Sequence, residues 1–132
     1  LLRIFSFLQE TGAGMPSRAL LEATKRGDPS EIIAEFALGK LDPLAVRALE
    51  LFVSCYGAFT GNMALATLSR GGVYIAGGIA PKIAPKLREG DFMRAFCAKG
   101  RFSGLLEAMP VRVVRNADVG LLGALTAAIR EA

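Results

Sequence analysis

From Leu51 to Ser69 the chain runs nineteen residues without a charge, and no other feature restricts its fold as much. The stretch lies downstream of Asp42-Pro43, where a carboxylate can accept an N–H of the first helical turn and proline takes the first helical position. One long helix from Leu44 to about Ser69 is therefore predicted. A helix this apolar must be covered, by lipid or by protein. Gly57-Ala-Phe-Thr-Gly61 matches the small-residue spacing of membrane helix pairs. Ser54, Tyr56, Thr60, Asn62, Thr67 and Ser69 weigh against a membrane span. The favoured reading is a core helix in which Gly57 and Gly61 admit a neighbouring backbone.

The rest of the chain reads as further helices and two strands. Leu1 to Glu10 forms one short helix, a second runs from the Ser17 cap to Gly27, and a third follows Asp28-Pro29-Ser30-Glu31, a capping box with proline at the first helical position. Residues 1–42 form a helical insertion or subdomain in this reading, and residues 43–132 form the second unit. Val73 to Ala76, bracketed by Gly71-Gly72 and Gly77-Gly78, is predicted as a strand buried on both faces. Pro81 to Gly104 is basic and helical, interrupted at Pro85 and Gly90, with Asp91 as a cap. Arg101 to Met109 adds a turn or two of helix, and Val111 to Val114 a second strand. Asp118 caps a last helix with Leu121, Leu125 and Ile129 on one face. Helix, strand, helices, strand, helix is the alternation of an α/β fold with parallel strands. Two strands do not complete such a sheet. That shortage, together with Leu1 in place of an initiator Met, leads us to expect a piece of a longer protein.

Composition narrows the chemistry. With 52% hydrophobic and 21% charged residues the chain can build a core. Cys55 and Cys97 lack metal or redox spacing, so buried, reduced thiols of a cytoplasmic protein are expected. The net charge of +4 is concentrated at Lys82, Lys86, Arg88, Arg94, Lys99 and Arg101, opposed locally by Glu89 and Asp91. A solvated surface near a small anionic ligand is favoured over a nucleic-acid patch, because aromatic platforms are sparse. There is no His, which excludes Ser-His-Asp and Cys-His catalysis within the chain, and no Cys cluster to hold zinc. Asp118-Val-Gly120-Leu-Leu-Gly123 fails as a dinucleotide fingerprint, because Asp118 stands where the first glycine belongs.

The acidic residues are accounted for structurally. Asp28, Asp42, Asp91 and Asp118 sit at cap positions, and Glu22, Glu31, Glu35, Glu50 and Glu131 on solvent-facing helices. No catalytic residue and no metal ligand is assigned. One positive signal remains, the strand followed by Gly77-Gly78 and a helix. Glycines at a strand's C-terminal end let a flat or anionic ligand approach the backbone, and the next helix offers its N-terminus. A tight turn with no ligand explains the same pattern equally well.

Four segments, in order, resemble the bacterial glucokinases. Gly71-Gly-Val-Tyr-Ile-Ala-Gly-Gly-Ile-Ala-Pro81 is similar to that family's adenosine motif. Phe59-Thr-Gly-Asn-Met-Ala-Leu65 resembles its core helix. Phe92-Met-Arg-Ala-Phe-Cys-Ala-Lys-Gly-Arg-Phe102 resembles its segment ending in Lys-Gly-Arg-Phe. Pro110-Val-Arg-Val-Val114 with Gly120-Leu-Leu-Gly123 resembles its last strand and helix. The resemblance runs from about Ala48 onward and is looser before.

The resemblance implies the C-terminal part of a ribonuclease-H-like domain of the actin and hexokinase type, mostly helical in this stretch. It implies a cytoplasmic, homodimeric enzyme that transfers the γ-phosphoryl group of ATP, with Mg2+, to the 6-hydroxyl of glucose. The family's phosphate loop, general-base Asp and sugar-binding residues belong to segments that precede Leu1. Gly77, Gly78, Ile79 and Ala80 carry over as part of the adenosine pocket, so a chain inactive by itself is implied. Two other functions stay open: a sugar-kinase-like regulator that senses ligand without turnover, and an oligomerisation piece using the Gly57/Gly61 face. No nucleic-acid or membrane partner is expected.

Overall fold

The computed structural model describes residues 1–131; Ala132, the last residue of the predicted 43–132 unit, lies outside the described residues. Helices α1 (Leu2–Glu10), α2 (Arg18–Thr24) and α3 (Pro29–Leu38) precede the long α4 (Pro43–Thr67). Strand β1 (Val73–Ile75) is followed by α5 (Ile79–Lys82), α6 (Ala84–Leu87), α7 (Asp91–Cys97), a 3-10 turn at Gly100–Phe102 and α8 (Ser103–Glu107). Strand β2 (Val111–Val113) and α9 (Val119–Glu131) complete the order. The architecture is α/β, mostly helical, with two parallel strands in register Val73↔Val111, Tyr74↔Arg112 and Ile75↔Val113.

Three of the helix starts are fixed by short polar side chains, as local sequence dictates. The Ser17 hydroxyl accepts the Leu20 N–H at 3.3 Å, and Asp28 Oδ1 accepts the Glu31 N–H at 2.9 Å. Asp42 serves two segments: Oδ1 accepts the Ala45 N–H at 2.9 Å, and Oδ2 accepts the Ser17 N–H at 2.6 Å. The start of α2 is thereby tied to the start of α4. Asp42 is 0% exposed. Burial would raise its pKa, but the N–H donors of Ser17 and Ala45 outweigh it and hold the carboxyl below its ordinary value.

Asp91 does otherwise. Gly90, with φ of +103°, occupies the cap position of α7, and Asp91 stands inside the helix, paired with Arg94.

α4 is long and apolar enough to cross a membrane, yet Leu44, Ala45, Ala48, Leu49, Val53, Gly57, Gly61 and Ala64 along it are buried in the protein. Phe5 and Leu8 of α1, Leu20 of α2 and Ile33 of α3 belong to the same core, which continues through Phe92 and Phe96 of α7 to Leu106 of α8. Burying side chains of this size contributes about 1.5–3 kcal/mol each, while Phe59 and Met63 on the other side of α4 stay exposed.

α7 crosses the second half of α4 at very short range. A Cβ added at Gly57 would lie 2.2 Å from the Phe92 carbonyl oxygen, and one at Gly61 would lie 2.4 Å from that of Phe96. Only glycine permits this approach. Lys99 then passes over Gly61, with Cε 2.9 Å from where that Cβ would stand, and donates to the Ala58 carbonyl at 2.9 Å. The two segments at Phe59–Leu65 and Phe92–Phe102 are thus halves of one packing joint. Because Gly57 and Gly61 are buried against their own chain, they do not form an oligomerisation face.

The sheet departs from expectation. Ile75 is buried, but Tyr74 on the opposite face is 64% exposed, with the Arg112 guanidinium 5.7 Å from its ring centroid. Val73–Ile75 is therefore covered on one side and not on both. α9 is exposed from Val119 to Arg130, with Leu121 72% and Ile129 68% exposed. The cysteines differ from expectation as well: Cys55 is exposed and Cys97 half-buried, both as free thiols. Burial, with the Glu107 carboxylate nearby, pushes the Cys97 thiol up, away from reactivity.

Candidate functional site

The turn after β1 is built by glycine. Gly77 has φ of +110°, a conformation other residues adopt only with strain, and Gly78 serves as the N-cap of α5 with φ of −75°. α5 is one turn long, because Pro85 and the irregular residue Ile83 break the basic segment into short pieces. Its dipole is accordingly small, and the turn's approachable backbone becomes the feature available to a ligand. Space around both glycines is open: a Cβ at either would meet nothing within 4 Å.

The four residues singled out by sequence are placed differently. Gly78 and Ile79 line a pocket of about 370 Å³. Gly77 is exposed at the turn beside it, while Ala80 is 1% exposed and packs into the core beneath. The opposite wall comes from the first turn of α3, with Asp28, Ser30 and Glu31, and Leu49 and Phe52 of α4 add apolar surface. Glu31 is exposed on its helix, as read from sequence, and also lies on the pocket wall. Residues distant in sequence meet here through the packing of α3 on α4.

Across the rim, Lys82 Nζ donates to Glu31 Oε1 at 2.7 Å, joining α5 to α3. The hydrogen bond and charge of Glu31 raise the Lys82 pKa, so the ammonium persists through any ordinary pH. Four others of the basic cluster are also engaged. Lys86 pairs with Glu89 at 2.6 Å and Glu50 at 3.3 Å, Arg94 pairs with Asp91, Lys99 holds the Ala58 carbonyl, and the Arg101 guanidinium stacks on Phe102 at 5.3 Å. Carboxylates thus offset Lys82, Lys86 and Arg94, whereas Arg88, Lys99 and Arg101 have no carboxylate partner among the described residues.

A larger groove of about 640 Å³ lies elsewhere, lined by Ile75, Val111, Val113, Phe92 and Met93 with Arg88 and Arg115 at its edge. It runs along the Ile75 face of the two-stranded sheet, between the strands and the α6–α7 segment. The smaller pocket is the better candidate despite its size. It combines an approachable backbone turn, an aromatic wall and fixed polar groups, the features ligand sites share.

Comparison with known proteins decides the family. The glucokinase family model matches residues 1–131, taking in the first forty residues where the motif resemblance was loose. The chain belongs to the glucokinase family. Its relatives include the glucokinase of Synechocystis sp., 50% identical over 107 residues, which are 81% of this chain and 30% of that protein. The glucokinase of Nostoc punctiforme is 48% identical over 106 residues, 80% of this chain and 31% of the relative. The crystal structure of glucokinase from an Antarctic psychrotroph superposes with a TM-score of 0.65 at 30% identity, over 73% of this chain and 30% of that one. The chain therefore spans about a third of the length of the glucokinases it matches.

Proposed function

We propose that this chain is the C-terminal, nucleotide-side portion of an ATP-dependent glucokinase that phosphorylates the 6-hydroxyl of glucose, and that it is inactive by itself. The observation that carries the reading is the pocket between the Gly78-Ile79 turn and the first turn of α3. Its shape and lining suit a nucleoside: Phe52, Leu49 and Ile79 offer apolar surface to a flat base, and Asp28, Ser30 and Glu31 offer acceptors to the nucleoside's polar groups. Gly77 and Gly78 leave room for the phosphates to run out past the turn, and Ala80 supports that turn from below.

The donor set limits what else this chain contributes. Among the described residues no group of three carboxylate or thiol side chains converges on one point, so Mg2+ would be held by the nucleotide's phosphates and by residues outside this chain. Phosphoryl transfer rests on positioning and charge neutralisation, and the part read here is positioning of the nucleoside end. We take residues 1–42 as a helical insertion into the larger domain formed by the rest. The carboxylate partners of Lys82, Lys86 and Arg94 support a protein without a nucleic-acid partner, and the burial of one face of α4 supports one without a membrane. A cytoplasmic homodimer completes the reading.

Gly78→Val tests it in the intact gene product. The backbone at Gly78 accepts any residue and the added side chain meets open space, so the variant folds while filling the pocket. The KM for ATP should rise by about tenfold, on the order of 1.4 kcal/mol of lost binding, with that for glucose little changed. Equal effects on both substrates would leave the turn a purely structural element.

A further inference from the structure

The geometry points to Glu31 as the residue that reads the ribose of the nucleotide, its carboxylate accepting hydrogen bonds from the 2′- and 3′-hydroxyls. This assignment rests on the nucleotide reading above and adds a specificity residue that the glycine-containing motif does not contain.

Four observations carry it. Glu31 stands in the first turn of α3 and faces the Gly78-Ile79 turn across the pocket. One carboxylate oxygen, Oε1, is held at 2.7 Å by Lys82 Nζ from the opposite side of the rim, fifty-one residues away in sequence. The two side chains remain 60% and 48% exposed, so this surface pair leaves the carboxylate accessible, and among the described residues no protein group bonds Oε2. Asp28, the other carboxylate here, is committed to the helix, with Oδ1 accepting the Glu31 N–H at 2.9 Å. The Ser30 hydroxyl lies on the same wall.

Charge decides which part of the nucleotide fits. The side chains of the pocket supply two carboxylates against one ammonium, and that ammonium is already paired. A phosphate placed among them would be repelled, whereas neutral hydroxyl donors are what a carboxylate takes up. With the base against Phe52 and Ile79, the sugar is the remaining group with donors to offer. A vicinal diol presents two of them to one carboxylate. A hydrogen bond to a charged acceptor contributes about 1.5–3 kcal/mol, which is roughly a ten- to hundredfold preference over a nucleotide lacking the hydroxyl.

The test compares ATP with 2′-deoxy-ATP as phosphoryl donors to glucose in the intact gene product. Unsubstituted protein should show a KM about tenfold higher for 2′-deoxy-ATP. In Glu31→Gln the KM for ATP should rise by a similar factor and the two donors should become equal within about twofold, with kcat and the glucose KM held. Lys82→Met breaks the same ion pair but leaves the carboxylate, so it should retain most of the discrimination. Loss of discrimination in both variants alike would reduce Glu31 to a structural partner of Lys82. Full discrimination in Glu31→Gln, or none in the unsubstituted protein, overturns the assignment. Gly78→Val separates the two levels: if it weakens ATP while Glu31→Gln changes nothing, the ribose contact alone falls. If Gly78→Val also leaves the ATP KM unmoved, the nucleotide reading falls with it.

Discussion

At the α4–α7 crossing, Gly57 and Gly61 bring two helices within reach of each other's backbone, while in α9 Gly120 and Gly123 face open space. The contrast extends to the large side chains. Phe92 and Phe96 of α7 are buried, and Leu121, Leu125 and Ile129 of α9 are exposed, although both helices are apolar and both lie in segments that resemble the same family. Apolar periodicity in a sequence states that a face is to be covered, not by what. Phe92 and Phe96 of α7 and one face of α4 find their cover inside this chain. α9 and the outer face of β1 do not, and with a third of the family's length in hand their cover is expected from the rest of the fold.

The largest effect that sharpens this contrast is truncation of a core ring. Phe96→Ala should destabilise the protein by about 3–5 kcal/mol in chemical denaturation, whereas Leu125→Ala in α9 should stay within about 0.5 kcal/mol. In the intact gene product Leu125→Ala should instead cost about 2 kcal/mol or more, because the face is then buried. An unchanged, near-zero cost there would break the comparison.

Next comes Gly57→Ala, whose new methyl meets the Phe92 carbonyl at 2.2 Å and forces α7 away from α4. A loss of about 1–3 kcal/mol is expected, measured as a lower denaturation midpoint.

Asp42→Asn is smaller, at about 1–2 kcal/mol, since an amide cannot accept both the Ser17 and Ala45 N–H groups as a carboxylate does. Its pH dependence has a defined sign. The folded carboxyl titrates below its ordinary value of 3.8, so its contribution is complete above that value and is lost as pH falls through the lower, folded pKa. Denaturation series from pH 6 to pH 2 should show the gap between the two proteins closing only at the acid end.

The smallest expected effect has the opposite sign. Gly123→Ala in α9 should stabilise by about 0.5–1 kcal/mol, through helix propensity without any clash.

How far the sequence could be read follows the range of the interactions involved. The starts at Ser17, Asp28 and Asp42 were legible because a cap and its N–H lie three residues apart. β1 and β2 were legible from apolar runs between glycines and proline, and the need for glycine at 57 and 61 from their spacing in an uncharged helix. Asp91 was misplaced by one position, since Gly90 in a left-handed conformation takes the cap. The exposure of Tyr74 and Cys55 depends on what packs nearby, which no local pattern encodes. At the site, the motif delivered Gly78 and Ile79 but not the facing wall. Asp28, Ser30 and Glu31 carry the signature of a helix start, and the same residues that begin α3 also line the pocket. Only the fold, by setting α3 beside α5, gives them the second role.

The most direct test of the account is a coupled assay of ADP formation from ATP with glucose, run on the intact gene product and on this 132-residue chain side by side. The account predicts glucose-dependent turnover in the intact product and none in the chain. Turnover by the chain alone, or a folded intact product that is inert with glucose and related hexoses, would contradict it.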